Sequence, residues 1–148
     1  DCLLSRGLGD VYKRQTLNRW GQPSVAYFDP VKKHDVETYG GRLVENLTQA
    51  TARDILAAAI VRLQGAGFMV VGHVHDEVII EGAASWVGAD GMPTHEGGRA
   101  FAEVRRLMTE PNPWSTSLPL RAAGAVMARY GKPSDEQEEA TELAASRA

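Results

Sequence analysis

The chain has 148 residues, 43% of them apolar, which is enough for one domain with a buried core. No run approaches the roughly 18 consecutive apolar residues of a membrane-spanning helix, the lone Cys2 excludes a disulfide scaffold, and nothing resembles a secretory signal, so a cytoplasmic setting is expected. The net charge of −3 excludes the strongly basic footprint of a free-standing nucleic-acid binder.

Asp1–Gln15 has no amphipathic period, and Gly7 and Gly9 interrupt it. It resembles a stretch, CLLSRGLGDVYKRQ, that recurs at the ends of metagenome-derived reading frames joined to unrelated proteins. On that resemblance it is expected to be a non-native leader, outside the fold. Gly21 and Pro23 then mark a turn, and Ser24–Phe28 is a short β-prone run that stops at Asp29-Pro30.

Arg42–Gln64 is the clearest helix. Its apolar stripe runs through Ala52, Ile55, Leu56, Ala59, Ile60 and Leu63, preceded by Gly40-Gly41 and ended by Gly65 and Gly67. On its other face Arg42, Glu45, Asn46, Gln49 and Arg53 recur every three or four residues. Such a stripe is ordinarily a solvated face. Arg, Asn and Gln can also donate in fixed geometry to base edges or backbone oxygens, so both readings stand.

Phe68–Gly82 reads as strand, tight turn, strand: the apolar runs Met69–Val74 and Val78–Ile80 flank His75-Asp76-Glu77. The turn lacks the Asn-Gly or Gly-X pair that closes hairpins easily, and a local misfit of that kind is where functional sites tend to sit. Two adjacent carboxylates offer hard oxygen ligands suited to Mg²⁺. Strand alternation would point them to opposite faces unless the turn redirects one, so Asp76 is the expected direct ligand. Two-metal chemistry needs further carboxylates, which no second strand supplies. A merely charged turn and a zinc cluster of His73, His75 and Asp76 are the competing readings; zinc is disfavoured because His34 and His95 sit in unrelated loops. No Ser sits in a nucleophile elbow.

Gly82–Gly98, with five glycines and Pro93, reads as a loop and tolerated surface insertion. His95–Thr109 is a second helix with Ala100, Phe101, Val104, Leu107 and Met108 inward, stopped by Pro111 and Pro113. Leu118–Met127 alternates as a half-buried strand does. The tail from Lys132 to Ala148 carries five acids against two bases, which accounts for the whole net charge. It reads as an acidic frayed helix or disorder. The order β, long α, hairpin, α, β predicts an α+β fold: an antiparallel sheet with its hairpin packed on two main helices.

Three blocks in this order carry a resemblance. "YGGRLVENLTQATARDILAAAI" (Tyr39–Ile60), "VVGHVHDEVIIE" (Val70–Glu81) and "MTEPNPWSTSLPLRAAGAVMARYGK" (Met108–Lys132) resemble the C-terminal palm of family A DNA polymerases, in their phage-type branch. The likeness spans Ser24 to Lys132, so residues 16–131 are expected to be palm, between the leader and the acidic tail.

The resemblance implies roles for residues. Asp76 is similar to the motif C aspartate that binds the two catalytic Mg²⁺ ions, and Glu77 to its acidic neighbour. His75 is similar to a histidine that contacts the primer-terminal region. Gln49 and Arg53, with Arg42 and Asn46, fall on the helix laid near the minor groove of the template-primer duplex. The family has alanine at Arg53 in some members, and cellular members often have Asn where Glu45 stands. The implied reaction is transfer of deoxynucleotides from deoxynucleoside triphosphates to a primer 3′-hydroxyl.

The family's motif A aspartate, fingers helix, thumb and exonuclease domain are not found in the sequence. The expectation is therefore a polymerase piece whose remaining domains lie upstream, inactive by itself. A non-catalytic module that binds duplex DNA or a protein partner is the alternative.

Overall fold

A computed structural model describes residues 13–29 and 31–147. Its elements, in order, are β1 (Lys13–Leu17), β2 (Pro23–Asp29), β3 (His34–Thr38), α1 (Gly40–Gly65), β4 (Met69–Val74), β5 (Glu77–Glu81), a short 3₁₀ turn (Ala84–Trp86), α2 (His95–Thr109) and α3 (Asp135–Ser146). This is the α+β class, with two small antiparallel sheets where a single one was expected. The chain forms two compact units that divide between Asp54 and Ile55, inside α1.

In the first unit β1, β2 and β3 make a meander, with Gln15 opposite Val25 and Val25 opposite Thr38. β1 begins at Lys13, so the last three residues of the expected leader pair with β2, while residues 1–12 lie outside the described ones. Side-chain acceptors close both turns. The Asn18 carboxamide oxygen accepts from the Trp20 and Gln22 amides at 2.9 Å each. Asp29 accepts from the Val31 and Lys32 amides at 2.9 and 3.0 Å, the arrangement that lets Asx residues replace a backbone turn. Those amides, that of Lys32 foremost, hold the Asp29 carboxyl below its ordinary value.

α1 extends the predicted helix by two residues at its start, so Gly40-Gly41 lie within it. Its end is a Schellman closure: Gly67 takes φ +90°, its amide donates to Gln64, and the Phe68 amide reaches the Leu63 carbonyl at 3.0 Å.

In the second unit the predicted stripe is the one that packs: Ala59 and Leu63 are fully buried, and Phe101 and Leu107 of α2 are buried as well. Arg62 ties the end of α1 to the end of α2, donating through Nε to the Leu107 carbonyl and through a terminal nitrogen to Asn112, both at 3.0 Å. α2 has the predicted limits. Its N-cap is Thr94, which accepts from the Gly97 amide.

Two expectations change here: the tail takes the helical one of its two readings, and one strand is absent. The acidic tail is an ordered helix: Ser134 and Gln137 form a reciprocal capping box, and Thr141 and Ala145 are buried. Gly98 lets α3 approach α2 so closely that a β-carbon there would stand 2.5 Å from the Ala144 carbonyl carbon. Arg105 of α2 also pairs with Glu142 of α3. Composition left a frayed helix or disorder open because the small side chains involved, Thr141, Ala144 and Ala145, carry little hydropathy yet fit a close helix contact.

The second change is Leu118–Met127, which forms no strand. Pro119 removes a donor, and the Val126 amide goes instead to the Thr141 hydroxyl at 3.1 Å. That hydrogen bond ties the segment to α3.

Candidate functional site

β4 and β5 pair Met69 with Glu81, Val70 with Ile80, His73 with Val78 and Val74 with Glu77, with a register shift between Val70 and Gly72. Val74 opposite Glu77 leaves His75 and Asp76 as a two-residue turn, so Glu77 belongs to the strand and not to the tip. His75 takes φ +54°. Two-residue hairpin turns need positive φ at their first position, which glycine adopts freely and a β-carbon penalises by about 1–2 kcal/mol. The misfit seen in the sequence is thus a backbone strain, localised at one residue, and held strain of this kind is typical of sites where a side chain must be aimed.

The turn also answers the geometric problem of the two carboxylates. Asp76 lies in the turn, free of strand alternation, and both Asp76 and Glu77 line one cleft of about 540 Å³ within the second unit. Its other walls include Arg105 of α2 and Arg121, Arg129 and Tyr130 of the irregular segment that follows. Tyr130 donates its hydroxyl proton to Glu77 at 3.5 Å and so brings that segment to the hairpin. Asp76, Glu77 and His75 are exposed.

Among the described residues no three His, Cys, Asp or Glu side chains come together in a possible metal cluster, which removes the zinc reading of His73, His75 and Asp76. The donor chemistry of Asp76 and Glu77 suits one Mg²⁺ ion that keeps several waters.

Arg42, Asn46, Gln49 and Arg53 lie along one exposed side of α1. Gln49 donates to Glu45 at 3.4 Å, and the Arg42 guanidinium stands 5.9 Å from the Tyr39 ring centre. All four are exposed, as either reading of the stripe, solvated face or ligand contact, requires.

Arg121, Arg129 and Tyr130 are what residue patterning missed. They sit in a stretch without regular structure, where no period exposes a shared face. Their only signal was membership of the block ending in "ARYGK".

With this geometry in view, comparison with known proteins places the chain alongside one class, the DNA polymerases. Over 123 residues, 81% of its length, it is 38% identical to the "DNA polymerase" of Bacillus phage SP02. It is therefore similar to a segment of a DNA polymerase and spans 17% of that relative. No protein-family model matches the chain, and no solved structure does. Among the described residues no helix is long and apolar enough to cross a membrane.

Proposed function

We propose that this chain is a C-terminal palm segment of a family A DNA polymerase and that the β4–β5 hairpin carries one half of a two-metal nucleotidyl-transfer site. One observation carries the reading. In a chain 38% identical to a phage DNA polymerase over most of its length, a histidine in left-handed conformation presents an aspartate at a hairpin tip. In the reaction the primer 3′-hydroxyl oxygen bonds to the α-phosphorus of a deoxynucleoside triphosphate, and pyrophosphate leaves.

The residues present fit the Mg²⁺ that this chemistry uses. Asp76 would hold it and Glu77 would support the site, and once bound the ion supplies charge stabilisation at the reacting phosphoryl group. A second ion calls for carboxylates beyond those the described residues assemble. His75 faces the primer end. Gln49, Arg53, Arg42 and Asn46 grip the duplex, where minor-groove acceptors recur at similar places for every base pair and so allow any correctly paired sequence.

The test is a chimera of the phage SP02 polymerase carrying residues 24–132 of this chain in place of the matching segment. Mg²⁺-dependent, template-directed primer extension is expected, and Asp76→Ala should reduce it by about a thousandfold or more, in line with the several kcal/mol a catalytic metal contributes. A folded chimera indifferent to Asp76→Ala would sink the reading. The 148-residue chain alone is expected not to extend a primer. Salt-dependent duplex binding with no polymerase activity in the chimera would favour a non-catalytic DNA-binding module.

A further inference from the structure

The cleft beneath the hairpin has an unusual charge arrangement. Asp76 and Glu77 line it together with Arg105, Arg121 and Arg129. Arg105 is occupied, paired with Glu142 and set over the Phe101 ring at 5.4 Å. Arg121 and Arg129 make no ion pair among the described residues, although two carboxylates line the same cleft. Both guanidiniums are exposed. Tyr130, the chain neighbour of Arg129, reaches Glu77 of the hairpin through its hydroxyl at 3.5 Å.

Two cations and two anions that share a cleft without neutralising each other leave the cations open to an outside anion. Guanidinium groups match phosphate oxygens in particular, because their planar fork donates two parallel hydrogen bonds. We propose that Arg121 and Arg129 together bind phosphate in this cleft, which Asp76 also lines. The site takes a phosphoryl anion, either a backbone phosphate of a nucleic-acid strand or the phosphates of a free nucleotide or pyrophosphate. This deepens the polymerase reading and rests on it for the choice of nucleic acid, but its test does not use polymerase activity.

The whole chain would be titrated with a fluorescein-labelled primer–template duplex in EDTA, between 25 and 200 mM salt, roughly the range over which phosphate contacts dominate affinity. Each phosphate neutralised contributes about −0.9 to the slope of log K against log salt. Arg121→Gln with Arg129→Gln should therefore flatten the slope by about 1.8, whereas the Lys pair at the same positions should retain it. Pyrophosphate titrations by calorimetry form the second arm.

Loss confined to the duplex identifies a strand phosphate. Loss confined to pyrophosphate identifies a free phosphate ligand. Either supports the pair. An unchanged slope together with unchanged pyrophosphate affinity overturns it, as does absence of any binding by the unaltered chain at 25 mM salt, roughly the condition most favourable to phosphate contacts. Circular dichroism melts of the Gln variants guard against misfolding, which exposed arginines without ion pairs are not expected to cause. A chimera that extends primers while the Gln pair binds normally would reject this inference and leave the polymerase reading standing.

Discussion

At the scale of single residues, His75 joins stability to function. Its left-handed backbone costs free energy that glycine would not, so His75→Gly should raise the unfolding free energy by about 0.5–1 kcal/mol in urea titration. If the proposed function holds, the same change should also lower primer extension in the chimera, because it removes the side chain proposed to face the primer end. A loss of stability would show that the turn is not strained as described. Asp29 makes a separate case. Its carboxyl is held below the ordinary 3.8 by the Lys32 and Val31 amides. A carboxyl depressed in the folded state stabilises above its unfolded pKa and loses that contribution as pH falls through the folded value. Stability of the β2–β3 turn should thus fall below pH 3.8, and Asp29→Asn should remove that dependence. The NMR midpoint of the Asp29 carboxyl, expected below 3.8, is the check.

At the scale of elements, the close approach of α2 and α3 is the feature most open to test. An alanine at Gly98 would gain about 1 kcal/mol in helix propensity. Its methyl would meet the Ala144 backbone at 2.5 Å, and backbone cannot rotate away as a flexible side chain can. The overlap should win, giving a net loss of about 1–3 kcal/mol in denaturant unfolding. A gain would mean that the tail helix does not pack on α2. The hairpin stands differently. A two-stranded ribbon is marginal by itself, and Met69, Val71 and Val74 leave apolar surface of β4 exposed.

At the scale of the whole molecule, apolar exposure outweighs burial. Among the described residues, six hydrophobic side chains are buried, three of them alanines, while fifteen large ones are exposed. Among the described residues the β4–β5 ribbon also pairs with no other strand, which leaves edges that can template further strands. The chain is therefore expected to self-associate at micromolar concentration, seen as a sedimentation coefficient that rises with loading; a single monomeric boundary at every concentration would refute this.

What the sequence determined by itself is local. Helical spacing located α1 and α2 within two residues, the paired apolar runs located β4 and β5, and the absence of glycine from their turn marked the place where strain was later found. These signals are legible because they depend on neighbours along the chain, through backbone hydrogen bonds and side-chain periodicity. Tertiary structure decided the rest. Leu118–Met127 alternates like a strand, yet a strand needs an edge to pair with, and its Val126 amide found a threonine of α3 instead. The tail's composition left a frayed helix or disorder open, and small residues meeting Gly98 gave the helix a seat. Asp76 and Glu77 share a cleft with two arginines some 45 residues or more further along. No period in the sequence connects those positions, because only folding brings them to one surface.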